Sequence, residues 1–215
     1  MTITKIGHCC LLIKYENYTI LTDPGRFSNG QNSITGIDLI LITHEHADHI
    51  HIESLQEVLK NNPNAIVVTN RGVGKLLDEA GIVYTILEGS ASQEFEGVLI
   101  EAFDGKHEEI FEDFGQVQNT GYFIANKLFY PGDSFKEPGK PVDILALPVA
   151  GSWCRIPDAV RYALAVKPKR VFPVHDALLK DECLPIAYLA PQKYLPENGI
   201  EFIALSDGDT HDFNS

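Results

Sequence analysis

Residues 38–50 read DLILITHEHADHI, an apolar run followed at once by a polar one. Residues 38–43 predict a buried strand, and the next six positions hold four potential metal ligands, His44, His46, Asp48 and His49. Imidazole and carboxylate groups suit zinc, manganese or iron. A chance polar turn is the alternative, but four such donors packed this closely favour a metal site. They can hardly all reach a single ion, so we expect some of them to serve a second metal.

Three more potential ligands lie far along the chain, each after an apolar strand or its turn. They are His107 in DGKHEE, Asp133 in YPGDS and His175 in FPVHD. Strand ends that meet at one edge of a sheet can bring such donors together. Taken singly, His107 is also typical of a solvated loop and Asp133 of a turn after Pro-Gly. As a set, they indicate which residues complete the group of ligands found at residues 44–49.

Composition narrows the class of protein. The chain has 215 residues, of which 44% are hydrophobic, and no linker-like break, so we expect a single domain over residues 1–215. The formal charge is −13, which argues against a nucleic-acid partner. The N-terminus lacks a signal-peptide pattern, no apolar run approaches a membrane span, and the four cysteines lack CxxC spacing. These features predict a cytoplasmic protein that binds no membrane and acts on a small molecule.

Apolar periodicity and turn residues predict the secondary structure. Strands are predicted at residues 3–6, 10–15, 18–22, 38–43, 65–69, 82–87, 98–103, 121–126, 127–130, 143–149, 170–174 and 201–205. Helices are predicted at residues 52–61, 71–80, 157–166 and 186–194. Residues 104–119 read as irregular, and residues 206–215 as a tail with little to order it. Cys9 and Cys10 read as packing residues on opposite sides of a strand. The pattern predicts an α+β fold with two sheets face to face and helices outside.

The motifs THEHADH at residues 43–49, YPGDS at 130–134 and PVH at 173–175, together with His107, resemble the metallo-β-lactamase superfamily of metal-dependent hydrolases. The resemblance runs from about Ile3 to Asp176. Three further stretches, GHCCLLI at 7–13, LTDPG at 21–25 and DILALPVAGSW at 143–153, are similar to the compact branch that includes the ascorbate-6-phosphate lactonase-like proteins. The resemblance implies a four-layer αββα sandwich of two mixed sheets, with the site at one edge.

The resemblance also implies ligand assignments. His44, His46 and His107 would hold one metal ion, Asp48, His49 and His175 would hold the other, and Asp133 would bridge both. Two divalent ions are expected, with Zn²⁺ favoured and Mn²⁺, Fe²⁺ or Ni²⁺ as alternatives. Because ligand imidazoles must be neutral, metal affinity is expected to fall below about pH 6.5.

Two residues outside the ligand set match the family pattern. His8 in the Gly-His dipeptide is expected either to contact the metal ligands or to be a core histidine bonded to the backbone. Asp23 is expected to orient a ligand imidazole, and the alternative is a turn aspartate before Pro24. His51 and His211 are predicted to be solvated.

The implied activity is hydrolysis of a small-molecule ester, lactone or phosphodiester by a bridging hydroxide, with Asp48 receiving or passing its proton. Residues 27–36, 108–119 and 151–155 would choose the substrate. Trp153 and Arg155 are candidates to contact it, although Trp153 equally suits a cover over the sheet edge. A diiron redox protein on the same fold and a non-catalytic metal-binding module are the alternatives. The sequence does not indicate an oligomeric state.

Overall fold

Strands and helices alternate along the chain much as the apolar pattern predicts. In the computed structural model, which describes residues 1–214, the α-helices are α1 (Ile52–Asn61), α2 (Arg71–Ala80), α3 (Ile156–Val166) and α4 (Leu184–Glu197). The strands of the first half are β1 (Thr2–Gly7), β2 (Cys10–Tyr15), β3 (Tyr18–Thr22), β4 (Leu39–Leu41), β5 (Ile66–Thr69), β6 (Thr85–Ile86) and β7 (Ser92–Phe95). Those of the second half are β8 (Val98–Lys106), β9 (Gln118–Ile124), β10 (Leu128–Tyr130), β11 (Ile144–Pro148), β12 (Arg170–Val174), β13 (Glu201–Phe202) and β14 (Thr210–Asp212).

The strands form two seven-stranded mixed sheets. The first sheet has the order β14-β1-β2-β3-β4-β5-β6, and the second has the order β13-β12-β11-β10-β9-β8-β7. In each sheet the strands at one side pair antiparallel and those at the other side pair parallel. Parallel strands require crossovers, and the helices supply most of them.

Three apolar clusters define the layers. One lies between the sheets and combines residues such as Leu41 and Ile100 from both of them. A second packs α1 and α2 on the outer face of the first sheet, and a third packs α3 and α4 on the outer face of the second. Each sheet is therefore buried on both faces, which explains the nearly continuous apolar strands. The predicted four-layer α+β sandwich is confirmed.

Local sequence signals place the helices next to the site. The Asn70 side chain caps α2 by accepting a hydrogen bond of 3.1 Å from the Val73 amide. The same side chain donates through Nδ2 to the carbonyl of Thr43 at 2.8 Å, which ties the cap to the end of β4. Gly81 ends α2 in the left-handed conformation, with a φ of 68°. The capping asparagine thus anchors both a helix and the loop that carries the metal-ligand motif.

The structure corrects several local predictions. The segment predicted to be an unordered tail contains β14, which pairs with β1, and Phe213, which is buried in the core. Sequence reasoning missed this pairing because β14 is short and polar, and its order comes from a partner at the other end of the chain. Ser215 lies outside the described residues. Strands β8 and β9 extend into the stretch predicted to be irregular, and β7 was not predicted at all. Cys9 and Cys10 are confirmed as buried residues in two different apolar clusters.

The ends of several strands converge on one edge of the sandwich. The loop after β4 carries the THEHADH motif, β8 ends just before His107, β10 shortly before Asp133, and β12 just before His175. Turns of the first sheet contribute Asp23 after β3 and His8 between β1 and β2. Among the described residues, no helix has the length and apolar character needed to cross a membrane.

Candidate metal centre

The loop after β4 turns tightly and is held by its own backbone. The amides of His49 and Ile50 donate to the carbonyl of His46 at 2.9 and 3.0 Å. Gly25 lies directly against this loop, because a Cβ atom there would fall 1.8 Å from the carbonyl oxygen of Asp48. Only a glycine permits such an approach. The loop therefore presents its side chains from a backbone packed on the turn after β3.

Three imidazoles form what we call the first cluster: His44, His46 and His107. One ring nitrogen from each lies within 4.8 Å of one from the others. The ring centroids of His46 and His107 are 4.6 Å apart, and those of His44 and His46 are 4.9 Å apart. His44 and His107 are buried, and His46 is partly exposed at the rim. This set matches the residues expected to hold one ion.

Asp48, His49 and His175 form the second cluster. The Asp48 Oδ2 atom lies 3.4 Å from His175 Nε2 and 3.9 Å from His49 Nε2. Both imidazoles are buried, and the side chain of Asp48 is 21% exposed. The cluster is thus open to solvent on its carboxylate side.

Asp133 lies between the two clusters. Its Oδ2 atom is 3.2 Å from His107 Nε2 of the first cluster and 2.9 Å from His175 Nε2 of the second. Its Oδ1 atom is 3.0 Å from His49 Nε2. The Asn119 side chain holds this loop by accepting from the Asp133 amide at 2.9 Å and donating to the Pro131 carbonyl at 2.8 Å. One carboxylate therefore touches imidazoles of both clusters.

Most of these imidazoles use Nδ1 to bind the protein. His107 Nδ1 donates to the Glu108 carbonyl and His175 Nδ1 to the Ala150 carbonyl, each at 2.6 Å. His49 Nδ1 donates to Asp23 Oδ2 at 2.7 Å. The Thr43 hydroxyl donates to Asp23, so its oxygen accepts from His44 Nδ1 at 3.0 Å. With Nδ1 occupied, each ring turns Nε2 toward the shared centre, as metal-binding histidines do.

The second cluster is rich in charge. Burial lowers the pKa of the His175 imidazole, but the carboxylates of Asp133 and Asp48 outweigh burial and raise that pKa to about 9. Burial also opposes charge on His49, and Asp133 with Asp23 raises its pKa well above the usual value. Burial raises the pKa of Asp133, yet these imidazoles hold it well below the usual value. Without metal, the second cluster is therefore a set of protonated imidazoles and ionised carboxylates.

The first cluster behaves in the opposite way. Burial holds the pKa of His44 well below its ordinary value, and the neighbouring His49 lowers it further. Burial and the nearby His107 also lower the pKa of His46. Both rings are therefore neutral at physiological pH, which is the protonation state that binds a metal ion.

The residues present fit divalent ions. Within residues 1–214, the buried Nε2 atoms of His44, His49 and His175 and the Oδ1 atom of Asp133 make no hydrogen bond of acceptable geometry. Buried polar atoms in folded proteins nearly always have a partner, so a group of them aimed at one point needs an explanation. Five imidazoles and two carboxylates form the donor set, which suits two ions that accept nitrogen and oxygen ligands.

Asp23 supports this centre without facing it. Its Oδ2 atom accepts from the Tyr130 hydroxyl at 2.6 Å as well as from Thr43 and His49, and its Oδ1 atom accepts from the Thr43 amide at 2.8 Å. The residue is fully buried. Neither Thr43 nor Tyr130 was singled out from the sequence, where nothing distinguishes them from ordinary strand residues.

His8 lies beside the second cluster. It contacts a candidate metal ligand and also bonds to the backbone, so both predicted roles apply. Its Nε2 atom is 3.3 Å from Asp48 Oδ2, and its Nδ1 atom accepts from the Ala177 amide at 3.3 Å. Burial lowers its pKa to about 4 despite the contact with Asp48. With Cys9 it forms a third group of donors that shares His49 and His175 with the second cluster. Burial raises the pKa of the Cys9 thiol well above its usual value, which makes it a poor ligand.

The two residues proposed to contact a substrate differ in position. The Trp153 ring is 5.6 Å from that of His107 and 5.4 Å from that of His175, so the indole spans both clusters. Arg155 is in neither cluster, and its exposed guanidinium pairs with Asp158 through contacts of 2.7 and 3.1 Å. His51 and His211 also lie outside the clusters. His51 contacts Ser54 and Glu53, so it is not simply solvated as predicted.

A buried ion pair lies next to the centre and was not predicted from the sequence. Lys5 Nζ in β1 lies 2.5 Å from Asp176 Oδ2, and both side chains are almost fully buried. The Tyr188 hydroxyl donates to the same oxygen at 2.6 Å. Asp176 follows His175 directly, so this pair links the first sheet to the strand end that carries a candidate ligand. Lys5 lies on the same buried face of β1 as Ile3, so a lysine at an inward position was the available sequence signal for this pair.

The chain is similar to known proteins over most of its length. Residues 2–175 match the family described as Beta-lactamase superfamily domain. Protein Rv0786c of Mycobacterium tuberculosis is 34% identical over 193 residues, covering 87% of this chain and 90% of that protein. A Thermoplasma acidophilum protein named UPF0173 metal-dependent hydrolase is 27% identical over 184 residues, covering 79% and 80%. Igni18, a novel metallo hydrolase from Ignicoccus hospitalis, shares the fold with a TM-score of 0.75, 19% identity and 99% coverage of both chains.

The family match spans most of the chain and includes every strand end that carries a candidate ligand. The first of these relatives extends the match over nearly the whole length of both sequences. The resemblance predicted from THEHADH and the later motifs is confirmed, and this chain belongs to the metallo-β-lactamase superfamily.

Proposed function

We propose that this chain is a metal-dependent hydrolase with a two-metal centre that cleaves a small-molecule ester, lactone or phosphodiester. The observation that carries the proposal is the orientation of the imidazoles. Four of them bind the protein through Nδ1, while buried Nε2 atoms from both clusters meet around Asp133. The Thermoplasma relative named a metal-dependent hydrolase supports the same activity.

The first cluster would hold one ion, the second cluster the other, and Asp133 both. Zinc is the metal we expect first, because imidazole-rich sites favour it, and manganese, iron and nickel are the alternatives. Two bound divalent ions would supply a nucleophile derived from water at neutral pH and would polarise the substrate oxygen.

Asp48 is the residue best placed to move a proton. Burial raises the pKa of its carboxyl, but contacts with His175 and His8 outweigh burial and hold the pKa below its usual value. The group is therefore ionised, and its 21% exposure leaves it open to the cleft. The Oδ2 atom can accept the proton released when water attacks and return it to the leaving group. His8 keeps this carboxylate in place through its Nε2 atom.

The first experiment is the metal content of protein purified without chelators, measured by mass spectrometry, together with turnover of an ester, a lactone and a phosphodiester. We expect two equivalents of metal and hydrolysis of at least one substrate. The Asp133→Asn and His46→Ala variants should lose more than about 100-fold in activity, because direct ligands matter more than the residues that orient them. His211→Gln is the matched control, since this imidazole lies outside both clusters.

Other outcomes would select the alternatives. Full activity of Asp133→Asn and His46→Ala with metal restored would exclude the proposed mechanism. Bound iron without any hydrolysis would favour a redox protein on this fold. Two bound ions with neither hydrolysis nor redox turnover would favour a metal-binding module.

A further inference from the structure

Aromatic side chains from two separate loops pack on histidines at the metal centre. The Phe27 ring packs edge to face on His8 at 5.3 Å between centroids, and its side chain is 44% exposed. Trp153 contacts the rings of His107 and His175 from another loop. Both aromatic rings therefore lie next to residues that touch or belong to the two clusters.

A third loop, residues 110–115, approaches from the side of the first cluster. A Cβ atom on Gly115 would lie 3.8 Å from His46 Nε2 and 2.8 Å from Ile110 Cδ1, so the base of this loop rests against His46. The tip carries Phe111 and Phe114, which are joined by a backbone hydrogen bond of 2.9 Å. Their side chains are 68% and 70% exposed.

These residues account for every exposed phenylalanine in residues 1–214. Exposed apolar side chains are common singly, but their concentration on loops that contact one polar centre marks a surface that meets a ligand. We call Phe27, Ile110, Phe111, Phe114 and Trp153 the apolar rim.

The charges beside the apolar rim are mostly negative. Residues 108–113 contain four carboxylates, Glu108, Glu109, Glu112 and Asp113. The Arg155 guanidinium pairs with Asp158. Arg26 next to Phe27, and Lys106 and Lys136 beside residues 108–113, are the other nearby cations, so carboxylates still outnumber them. The carboxylates repel polyanions, and the apolar rim beside them offers apolar groups a surface to bind.

We propose that the apolar rim binds the acyl chain of the substrate, and that the substrate is an uncharged carboxylic ester or lactone with an apolar acyl group. This inference rests on the proposed hydrolase function and selects among its substrates. In the reaction, the oxygen of water bonds to the acyl carbon and the bond from that carbon to the ester oxygen breaks. The ester oxygen leaves with a proton, which gives a carboxylic acid and an alcohol, or a hydroxy acid from a lactone.

The kinetic test uses zinc-loaded and manganese-loaded protein with p-nitrophenyl acetate, butyrate and octanoate and with bis(p-nitrophenyl) phosphate. Burial of each methylene is worth roughly fourfold in binding, so kcat/KM should rise by more than about tenfold from acetate to octanoate. The phosphodiester should be the poorest substrate. A flat response to chain length, or a preference for the phosphodiester, would overturn the inference.

The Phe111→Ser/Phe114→Ser double variant should lower the octanoate-to-acetate ratio of kcat/KM by about tenfold, because the chain loses apolar contact. Both side chains are exposed, so the substitutions remove little from the core. The matched control is Ile186→Ser/Leu189→Ser, an exposed apolar pair on α4 that is 68% and 63% exposed. This control should keep the ratio, and equal losses in both variants would contradict a role for the apolar rim.

A binding measurement separates this inference from the hydrolase proposal. The chain has one tryptophan, Trp153, so energy transfer from it to the neutral dye N-phenyl-1-naphthylamine reports binding near the centre. Transfer should occur in the wild type and the control and should fall at least about fivefold in the double variant. With no turnover of any substrate, the hydrolase proposal fails while the dye still tests the apolar rim. Turnover without dye binding or chain-length preference would reject the apolar rim alone.

Discussion

The first and second clusters offer similar imidazoles to the same centre but differ in charge and support. His44 and His46 have lowered pKa values, whereas the pKa values of His49 and His175 are raised by carboxylates. The first cluster reaches the rim through His46, which is partly exposed. The second is tied to buried residues of both sheets through Asp23 and through Asp176, the neighbour of His175.

The two clusters of the proposed metal centre therefore differ in the protonation state that an incoming ion would meet. The first cluster offers neutral nitrogens that can take up an ion directly. In the second cluster, protonated imidazoles balance the charge of the carboxylates, so an ion must displace protons in order to bind. We therefore expect the two sites to differ in affinity, in pH response and in sensitivity to distant substitutions.

The largest expected effect comes from removing the buried partner of Asp176, which supports the second cluster. Lys5→Met leaves the Asp176 carboxylate buried with Tyr188 as its remaining side-chain donor, and breaking such a pair costs about 3–5 kcal/mol of unfolding free energy. Urea unfolding measures the loss. The metal bound by the second cluster should weaken with it, because His175 precedes Asp176.

Two further variants control this prediction. Lys60→Met removes an exposed pair with Glu57 and should leave unfolding nearly unchanged. The double variant Lys5→Met/Asp176→Leu replaces the pair by apolar groups and should regain most of the lost stability. A single Lys5→Met variant as stable as the wild type would show that the pair does not hold this strand end.

The next effect in size concerns Asp23, which orients an imidazole of the second cluster. Asp23→Asn keeps the shape but removes the charge that accepts from His49 Nδ1, and should weaken metal binding there by about 10–100-fold. Calorimetric titration with Zn²⁺ should show one weakened site and one preserved site. Equal weakening of both sites would mean that Thr43, which contacts Asp23 and His44, transmits the change to the first cluster.

The pH response distinguishes the two clusters without a substitution. Because its pKa is about 9, the His175 ring carries a second proton at pH 7. The Nε2 atom must lose that proton before it can bind metal. Metal affinity of the second cluster should therefore fall by at least about tenfold per pH unit as pH drops below 9, and more steeply where His49 is protonated too, each proton contributing 1.36 kcal/mol per unit. The first cluster should keep its affinity down to about pH 6.5, because the lowered pKa values of His44 and His46 leave both rings neutral.

Competition with a chelator at pH 6.5, 7.5 and 8.5 would resolve the two sites. Identical pH profiles for both ions would contradict the charge difference between the clusters. The onset near pH 9 also differs from the value of about 6.5 expected from ordinary histidines, since Asp133 and Asp48 stabilise the protonated ring of His175.

Much of the fold could be predicted because burial on both faces leaves apolar runs in β4, β11 and β12. Helices α1 and α2 were predicted to the residue from periodicity and a C-terminal glycine. The missed elements, β7 and β14, are polar and largely exposed. Their order comes from pairing with β8 and β1, and a single sequence does not show pairing.

The candidate metal centre could likewise be predicted only in part. Ligand residue types and their places after strands were visible in the sequence, because metal chemistry demands imidazoles and carboxylates in short motifs. Residues that hold the ligands, such as Thr43, Asn119 and Tyr130, were not visible, since their hydrogen-bond partners are distant in sequence.

Short motifs in the sequence were enough to predict the seven candidate ligands and, through their resemblance to a known family, the sandwich fold. The division of those ligands by charge depends on the tertiary structure. The raised pKa values of His49 and His175 depend on the distances of these rings from Asp133, Asp48 and Asp23, and those distances arise from the meeting of two sheets. Folding also places Phe27 on His8 and the base of the loop at residues 110–115 on His46, although these segments are far apart in sequence.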